Sequence, residues 1–438
     1  MRLIRLFLFL SAILWVSSCT VVQSGLGKSA LKKSLTKSPF FNSHFTGFVL
    51  YDPETEENLF SWNEEKYFNL ASNTKLLTLY ASLQLLGDSI PGLLYQIEDD
   101  TLYFQPTGDP TFLHPVAKRQ RALELLSDTS KSLAFVPVTF DDNKQAPGWT
   151  WEDYQYYYQP ERTSFPIYAN SVSFLYDTLE DKFEVYPKFF EDFVEILEEP
   201  EPIPQRSRTA NIFAFHPDTA RSNYKNRVPF LTSDELTIHL LEDTLHKDIS
   251  VRPRFNFDDP DTLFSVPAYD LYAFMLKVSD NLTAEHLLYL CAFNSGWEIN
   301  SSIVRRHILN QNFSGHDNTP IWRDGSGLSR YNLATPSFMI ELMKKINHEI
   351  PLRTMKQMFS VGGSDGTLRN YYKPKPGEQP YIFGKTGTLS NNHNLTGIIE
   401  TSSGRQLFFS FMNNNYPSGS RTVKKEMEKV MRVIYEKY

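Results

Sequence analysis

The chain has 438 residues, which suggests two or three domains at about 100–200 residues per domain. Charged residues make up 22% and hydrophobic residues 41%, values that exclude a largely disordered chain. The 26 Pro and 20 Gly follow no period, which excludes collagen-like and repeat scaffolds. The formal net charge of −7 and the lack of a long basic run argue against binding to nucleic acid. Two cysteines cannot build a disulfide framework or a cysteine zinc site.

The first 19 residues have the pattern of a bacterial export signal. Arg2 and Arg5 precede a largely apolar run over residues 6–16, which is too short to span a bilayer core of about 30 Å as a helix. Ser17-Ser18-Cys19 follows, and small residues before a cysteine resemble a lipobox. We expect cleavage before Cys19, lipidation of Cys19, and a lipid anchor that holds an exported, periplasmic protein at a membrane. The alternative is an ordinary secretory signal with a cysteine near its cleavage site.

Composition and hydrophobic patterning predict the organisation that follows. Residues 20–40 contain a basic, serine-rich stretch and are predicted to be a linker. Residues 101–265 have short strand-like runs rich in Tyr and Phe, and predict one or more inserted domains of mixed or β-rich structure. The flanking segments, 41–100 and 266–438, are expected to form one domain together.

Within that flanking domain, the predicted elements alternate between strands and helices. Residues 45–51 and 59–62 flank a polar turn and predict a β-hairpin. Leucines at helical spacing predict a helix from Ala71 to about Gly87. Further helices are predicted at 269–278, 284–293, 336–347 and 421–438. Further strands are predicted at 381–383, 395–400 and 406–412, the last two joined by a turn.

Three short motifs carry chemistry. In the first, Ser72 and Lys75 lie at i and i+3 on one helix face, so a neutral lysine can take the serine proton. The bland interpretation is a helix cap followed by a solvated lysine. The second motif, Ser279-Asp-Asn281, fits a loop between two helices and is common by itself. The third, Lys385-Thr386-Gly387-Thr388, places a lysine and a hydroxyl on a strand. There the glycine lets a substrate backbone approach.

The order Ser-x-x-Lys, Ser-x-Asn, Lys-Thr-Gly is typical of serine penicillin-recognising enzymes. The sequence resembles the D-alanyl-D-alanine carboxypeptidase/endopeptidase family, the low-molecular-mass class C penicillin-binding proteins with a large inserted domain. The resemblance runs from about residue 45 to 412. Further segments that resemble family blocks are 108–110, 146–153, 279–285, 324–329, 365–368 and 384–389.

The resemblance implies an α/β fold of the β-lactamase/transpeptidase type, a three-layer sandwich with an antiparallel sheet between helices, interrupted by the insertion. It implies peptidoglycan stem peptides as substrates, β-lactam antibiotics as covalent inhibitors, and no metal or other cofactor. Ser72 would be the nucleophile and Lys75 its base. Ser279 would pass a proton to the leaving amine, and Asn281 would hold the substrate amide.

By the same resemblance, Lys385 and Thr386 would bind the terminal carboxylate beside Gly387. The backbone N–H groups of Ser72 and Thr388 would form an oxyanion hole. Asp153 aligns with an acidic residue that holds an amino group of the stem peptide in relatives, although one more surface carboxylate is an equal alternative. The stretch 193–254 does not match the inserted domains of the family.

Other functions remain open from the residues alone. A β-lactamase or an esterase could use the same serine–lysine pair, and a catalytically silent peptidoglycan-binding lipoprotein could keep the fold. His286 and His307 are expected to be structural, and His393 is expected in a loop near the site. Cys291, in an apolar run, is expected to be a buried core residue.

Overall fold

The computed structural model describes residues 27–114, 116–177, 180, 182–199, 203–216, 224–315 and 318–438. The predicted export signal and Cys19 lie outside these described residues. Within the described part of the chain, no helix is both long enough and apolar enough to span a bilayer.

Helices and strands alternate along the described chain. The α-helices are α1 (residues 27–35), α2 (Lys75–Leu85), α3 (Arg121–Leu126), α4 (Asp234–Leu245), α5 (Ala268–Val278), α6 (Asn281–Asn294), α7 (Ser301–Asn312), α8 (Pro336–Glu349), α9 (Leu352–Met358) and α10 (Ser420–Lys437). The first strands are β1 (Phe45–Asp52), β2 (Glu57–Trp62), β3 (Phe68–Asn69), β4 (Ser89–Glu98), β5 (Thr101–Pro106), β6 (Ser132–Phe135), β7 (Ser171–Asp177), β8 (Lys182–Tyr186) and β9 (Val194–Ile196). The remaining strands are β10 (Gln205–Arg206), β11 (Phe213–Phe215), β12 (Tyr224–Pro229), β13 (Ile249–Val251), β14 (Asp261–Pro267), β15 (Leu333–Ala334), β16 (Ser360–Val361), β17 (Ile382–Leu389), β18 (Asn392–Glu400) and β19 (Gln406–Asn414).

A six-stranded antiparallel sheet, in the order β16-β17-β18-β19-β1-β2, forms the middle layer of the larger unit. Successive side chains of a strand point to opposite faces, and both faces are apolar here. Phe48 and Leu50 join a core with α1 and α10, whereas Val49 and Tyr51 join a second core with α2, α5, α6 and α8. The sheet therefore lies between two helical layers, which confirms the predicted three-layer sandwich.

The inserted region has its own core and its own sheets. A five-stranded mixed sheet runs in the order β13-β6-β5-β4-β14, and two three-stranded sheets run β12-β7-β8 and β10-β11-β9. Phenylalanines fill much of the core between these sheets. The paired strands β4 and β14 lead from the larger unit into the insertion and back. The predicted domain limits remain a prediction, but these sheets draw on residues 89–267.

Most predicted elements occur within a few residues of their expected ends. The hairpin β1–β2, helices α5, α6, α8 and α10, and strands β18 and β19 form as expected. Strand β17 continues to Leu389, beyond its predicted end at residue 383, and so includes the Lys-Thr-Gly motif. The helix expected from Ala71 begins as a 3-10 turn, Ala71–Thr74, before α2. The sequence pattern did not predict helices α3, α4, α7 and α9. Helices α3 and α4 lie in the inserted region, where short strand-like runs predicted mixed or β-rich structure.

The predicted linker over residues 20–40 is wrong for its second half. Residues 27–35 form α1, and Leu31 and Leu35 are fully buried in the core that α10 shares with the sheet. These two leucines are four residues apart, so they lie on one helix face. Because Lys32, Lys33 and Ser34 separate the two leucines, the apolar face is narrow and the segment has the composition of a linker.

We expect Leu35→Ala to lower the free energy of unfolding by about 2–5 kcal/mol, because it empties a fully buried leucine site. Lys33→Ala, on the exposed face of the same helix, is the matched control and should change it by less than about 0.5 kcal/mol. Urea unfolding followed by intrinsic fluorescence measures both. Equal stability of the two variants would show that α1 does not belong to the folded core.

Candidate active site

Ser72 lies in the 3-10 turn Ala71–Thr74, directly before α2. The turn is held against the edge of the sheet by Asn73, which is fully buried. The Asn73 side-chain amide donates to the Lys385 carbonyl at 2.7 Å, and the Thr396 hydroxyl donates to Asn73 Oδ1 at 2.9 Å. The turn that carries Ser72 is thereby fixed beside β17, the strand of the Lys-Thr-Gly motif.

Lys75 is fully buried and its Nζ contacts three oxygen atoms. Nζ lies 3.2 Å from Ser72 Oγ, 2.6 Å from Asn281 Oδ1 and 2.6 Å from the Ser326 carbonyl oxygen. Burial disfavours the charged ammonium. It lowers the pKa of Lys75 to about 8, although the nearby carboxylates of Asp280, Asp324 and Glu285 raise it.

This geometry suits a neutral amine as well as an ammonium. A neutral amine donates two hydrogen bonds and keeps one lone pair, and two of the three neighbouring oxygens can only accept here. With Asn281 Oδ1 and the Ser326 carbonyl taking both N–H groups, the lone pair is left for the Ser72 hydroxyl. The arrangement can therefore withdraw the Ser72 proton.

A second lysine faces the second motif. Lys385, on β17, is fully buried and donates from Nζ to Ser279 Oγ at 2.9 Å and to the Thr386 carbonyl at 2.8 Å. Burial, together with the positive charge of Lys75, holds the pKa of Lys385 well below its usual range. Because Lys385 donates to Ser279, the Ser279 hydroxyl hydrogen is free to be donated elsewhere.

The turn between α5 and α6 presents Ser279 and Asn281. Ser279 adopts left-handed backbone angles, with φ of 62°, at the end of α5. Asp280 then caps α6 by accepting from the Thr283 N–H at 2.8 Å. The Asn281 amide nitrogen donates to the Tyr158 carbonyl at 2.7 Å while its oxygen receives Lys75. The structure therefore brings the three sequence motifs together at one place.

A cavity of about 1130 Å³ opens over these groups. The predicted site residues that line it are Ser72, Asp153, Ser279, Asn281 and Thr388. The other predicted site residues lie directly behind this lining and are buried. They are Lys75 and Lys385, which are fully buried, Thr386, which is 7% exposed, and Gly387, which is buried in β17. The Thr386 hydroxyl donates to Thr367 Oγ1 at 2.8 Å, and Thr367 itself lines the cavity.

Asp153 lies at the cavity wall beside Tyr158, away from the three motifs. The Tyr158 hydroxyl is hydrogen-bonded to Asp153, and burial with the Asp153 charge raises the pKa of Tyr158. No contact joins Asp153 to Ser72, Lys75 or Lys385 in the described residues. Its expected role in binding an amino group remains a prediction.

Two buried carboxylates that received no role from the sequence hold the Ser326 loop. Asp324 accepts from the backbone N–H groups of Gly327 and Ser329 at 2.8 and 2.6 Å. Glu285 accepts from the Ser326 N–H at 2.8 Å, so it fixes the residue whose carbonyl receives Lys75. Both lie in segments that resemble family blocks, but only the long-range contacts disclose what they do.

Arg162, from the inserted region, completes this support. Its guanidinium is 1% exposed and lies 3.4 Å from Glu285 and 3.1 Å from Asp142. Because an unpaired buried carboxylate is costly, Arg162 is required wherever Glu285 is ionised. The sequence offered no signal for a partner 123 residues away.

His286, His307 and Cys291 take the structural positions that the sequence predicts, whereas His393 does not lie where it was expected. His286 Nδ1 is 2.8 Å from the Gly108 carbonyl and burial lowers its pKa to about 3, while His307 packs against Trp297. His393 lies within β18 rather than in a loop, and its Nδ1 is 2.7 Å from Thr388 Oγ1. Cys291 is buried and free, as expected. No group of three or more His, Cys, Asp or Glu is placed to hold a metal ion among the described residues.

Comparison with known proteins identifies the family. The sequence profile of the D-Ala-D-Ala carboxypeptidase 3 (S13) family matches residues 28–182 and 261–438. The chain belongs to this family. The resemblance inferred from the motifs is thereby confirmed, and the unmatched residues 183–260 fall within the inserted region.

Individual relatives agree. The chain is 28% identical to the D-alanyl-D-alanine carboxypeptidase DacB of Haemophilus influenzae over 180 residues, which are 39% of this chain and 37% of that protein. It is 24% identical to the D-alanyl-D-alanine carboxypeptidase of an Actinomadura species, across 87% of this chain and 80% of that protein. The matched part thus spans little more than a third of the Haemophilus relative.

The fold is shared with a solved structure. The crystal structure of penicillin binding protein 4 from H. influenzae superimposes with a TM-score of 0.73 at 19% identity, covering 93% of this chain and 99% of that one. A second crystal structure of that protein holds a β-lactam. At this identity the superposition shows the common fold of the sandwich and its insertion.

We expect Gly387→Ala to displace the turn that carries Ser72. A Cβ at residue 387 would lie 2.5 Å from the Leu70 carbonyl oxygen and 3.0 Å from the Ser72 nitrogen. The turn would have to move away from β17, and acylation by a penicillin should slow by at least about tenfold, since small misplacements of reacting groups are costly.

Gly87→Ala is the matched control, because nothing lies within 4 Å of a Cβ there. Stopped-flow or gel-based acylation kinetics with a fluorescent penicillin compare the two variants. Wild-type rates in Gly387→Ala would contradict the close packing of β17 on the Ser72 turn.

Proposed function

We propose that this protein is a serine D-alanyl-D-alanine carboxypeptidase/endopeptidase that acts on peptidoglycan stem peptides and is acylated by β-lactams at Ser72. The observation that carries the proposal is the geometry of buried Lys75. Its two short hydrogen bonds to Asn281 and Ser326 leave the lone pair of the neutral amine directed at Ser72 Oγ. Family membership agrees with this chemistry.

Acylation begins with proton transfer. The Ser72 hydroxyl gives its proton to neutral Lys75 as Oγ forms a bond to the carbonyl carbon of the scissile D-alanine. The carbonyl oxygen becomes an oxyanion, which the backbone N–H groups of Ser72 and Thr388 stabilise. One such donor is worth about 2.7–4 kcal/mol of transition-state stabilisation.

Release of the leaving amine needs a proton on the other side of the scissile bond. Ser279 lines the cavity and is held by Lys385 at 2.9 Å. Ser279 donates its hydroxyl hydrogen to the departing nitrogen as the C–N bond breaks, and Lys385 replaces it. Lys75 then returns its proton, through water, to Lys385, so both lysines regain their starting charges. Water attacks the acyl–Ser72 ester, neutral Lys75 takes a proton from that water and passes it to Ser72 Oγ as the ester C–O bond breaks, and free Ser72 is regenerated.

Substrate binding would use the remaining motif residues. Thr386 and Lys385 attract the terminal carboxylate from behind Thr388, a charge-assisted contact. Asn281 orients the substrate amide. Asp153 holds an amino group of the stem peptide. No cofactor takes part in this scheme. The substrate places the protein in the bacterial envelope, and the sequence around Cys19 favours a lipid anchor on the periplasmic side.

The purified protein should form a stable adduct with a fluorescent penicillin on Ser72 and release D-alanine from a peptide ending in D-Ala-D-Ala. Ser72→Ala should abolish both, because it removes the only attacking oxygen. Intact mass and peptide mapping locate the adduct, and a coupled D-alanine assay follows release. Digestion of cross-linked muropeptides then separates endopeptidase from carboxypeptidase activity.

Other outcomes would select the alternatives. Rapid turnover of penicillin without D-alanine release would indicate a β-lactamase, and cleavage of simple esters alone an esterase. Folded protein that neither binds penicillin nor releases D-alanine would indicate a silent peptidoglycan-binding protein.

The acylation rate should rise with pH and level off above about pH 8, following the lowered pKa of Lys75. Below that pKa the amine is protonated and cannot accept the Ser72 proton, so the rate should fall about tenfold per pH unit. Lys75→Arg, which stays charged, should be slower by about 100-fold or more at every pH. A flat profile between pH 6 and 9 would exclude Lys75 as the titrating base.

A further inference from the structure

The active-site cavity has a basic wall supplied by the inserted region. Lys225 and Arg227, on β12, line the same cavity as Ser72 and Ser279. They are two residues apart on one strand, so they point to the same face of the sheet. Arg227 lies opposite Ser173 of β7 in the strand register, and Ser173 also lines the cavity.

These two cations have no carboxylate within ion-pair distance among the described residues. Arg227 lies 5.8 Å from the ring centre of Tyr157, a contact that leaves its N–H groups available. The two carboxylates that line the cavity are engaged elsewhere, since Asp280 caps α6 and Asp153 accepts from Tyr158. The basic wall therefore keeps donors and positive charge directed at the cavity.

His114 adds a buried donor to this wall. It is 2% exposed, lines the cavity, and packs edge-on against Phe274. The Val116 N–H donates to His114 Nδ1 at 3.0 Å, which places the hydrogen of the neutral ring on Nε2. Burial lowers the pKa of His114, and Arg227 lowers it further while Asp280 raises it.

His114 Nε2 has no hydrogen-bond partner among the residues that the structure describes. A buried donor without a partner is costly and calls for an acceptor. The cavity is the space from which that acceptor can come.

We propose that Lys225, Arg227 and His114 form a second anion subsite, which binds a carboxylate of an acidic substrate peptide other than the terminal carboxylate assigned to Lys385 and Thr386. The inference rests on the proposed function and deepens it, because it makes an acidic side group a determinant of substrate choice. The inserted region, through β12, would then select substrates rather than serve as a spacer.

The test compares two peptides that end in D-Ala-D-Ala and differ at one glutamyl group, present as the carboxylate or as the carboxamide. The wild-type protein should cleave the acid with kcat/KM about tenfold higher than the amide, as expected for a charge-assisted contact. Lys225→Gln/Arg227→Gln should bring this ratio close to one. Lys225→Gln alone, at an exposed position, should lower it two- to fivefold, roughly the share of one screened charge.

Lys188→Gln/Arg254→Gln removes the same charge from exposed positions of the same region outside this cavity, and should keep the wild-type ratio. Penicillin adduct formation on Ser72 verifies the fold of every variant. A wild-type ratio near one, with both peptides cleaved, would overturn the subsite and leave the proposed function standing. A tenfold ratio that survives in Lys225→Gln/Arg227→Gln would also overturn it. Cleavage of neither peptide would overturn the proposed function and this inference together.

Discussion

The chemistry of this site depends on burying a lysine amine without a carboxylate in direct contact. An amine in that position loses solvation, which favours the neutral form, but its N–H groups still require acceptors. Asn281 Oδ1 and the Ser326 carbonyl supply them, from residues 206 and 251 positions away in the chain. Both acceptors are neutral, so they satisfy the amine without restoring its full basicity.

The rest of the sandwich can be understood as the support for those two acceptors and for Ser72. Gly325 and Gly327 pass so close to α6 and to the Ser72 turn that a Cβ would lie 2.3 Å from the Ala284 carbonyl oxygen and 1.9 Å from the Ala71 carbonyl oxygen. Asp324 and Glu285 then hold the loop between them by its backbone N–H groups. The position of the Ser326 carbonyl is thus set by backbone packing, which moves little on binding.

Much of this could be predicted from the sequence, and the limits have physical reasons. Short motifs with constrained local spacing predicted the residues that the structure brings together, which are Ser72, Lys75, Ser279, Asn281 and Lys385. The carboxylates of Asp324 and Glu285, and the guanidinium of Arg162, act through partners far along the chain, and local spacing carries no information about such pairs. Helix α1 was not predicted because two leucines among lysines and serines form a narrow apolar face. Packing against α10 and the sheet buries that face, and the local sequence does not show this.

The inserted region is coupled to the reaction centre by charge as well as by chain connection. Arg162 enters the core beside Glu285, and it is almost completely excluded from solvent. Without Arg162, ionised Glu285 would be an unpaired buried charge, and it would gain stability by taking up a proton or by moving. Either change would weaken the hydrogen bond that the Ser326 N–H donates to Glu285. The Ser326 carbonyl, which accepts from Lys75, would then shift as well. Without the insertion, the sandwich would therefore keep its three motifs but lose the Arg162–Glu285 ion pair, which indirectly holds Lys75 in line with Ser72.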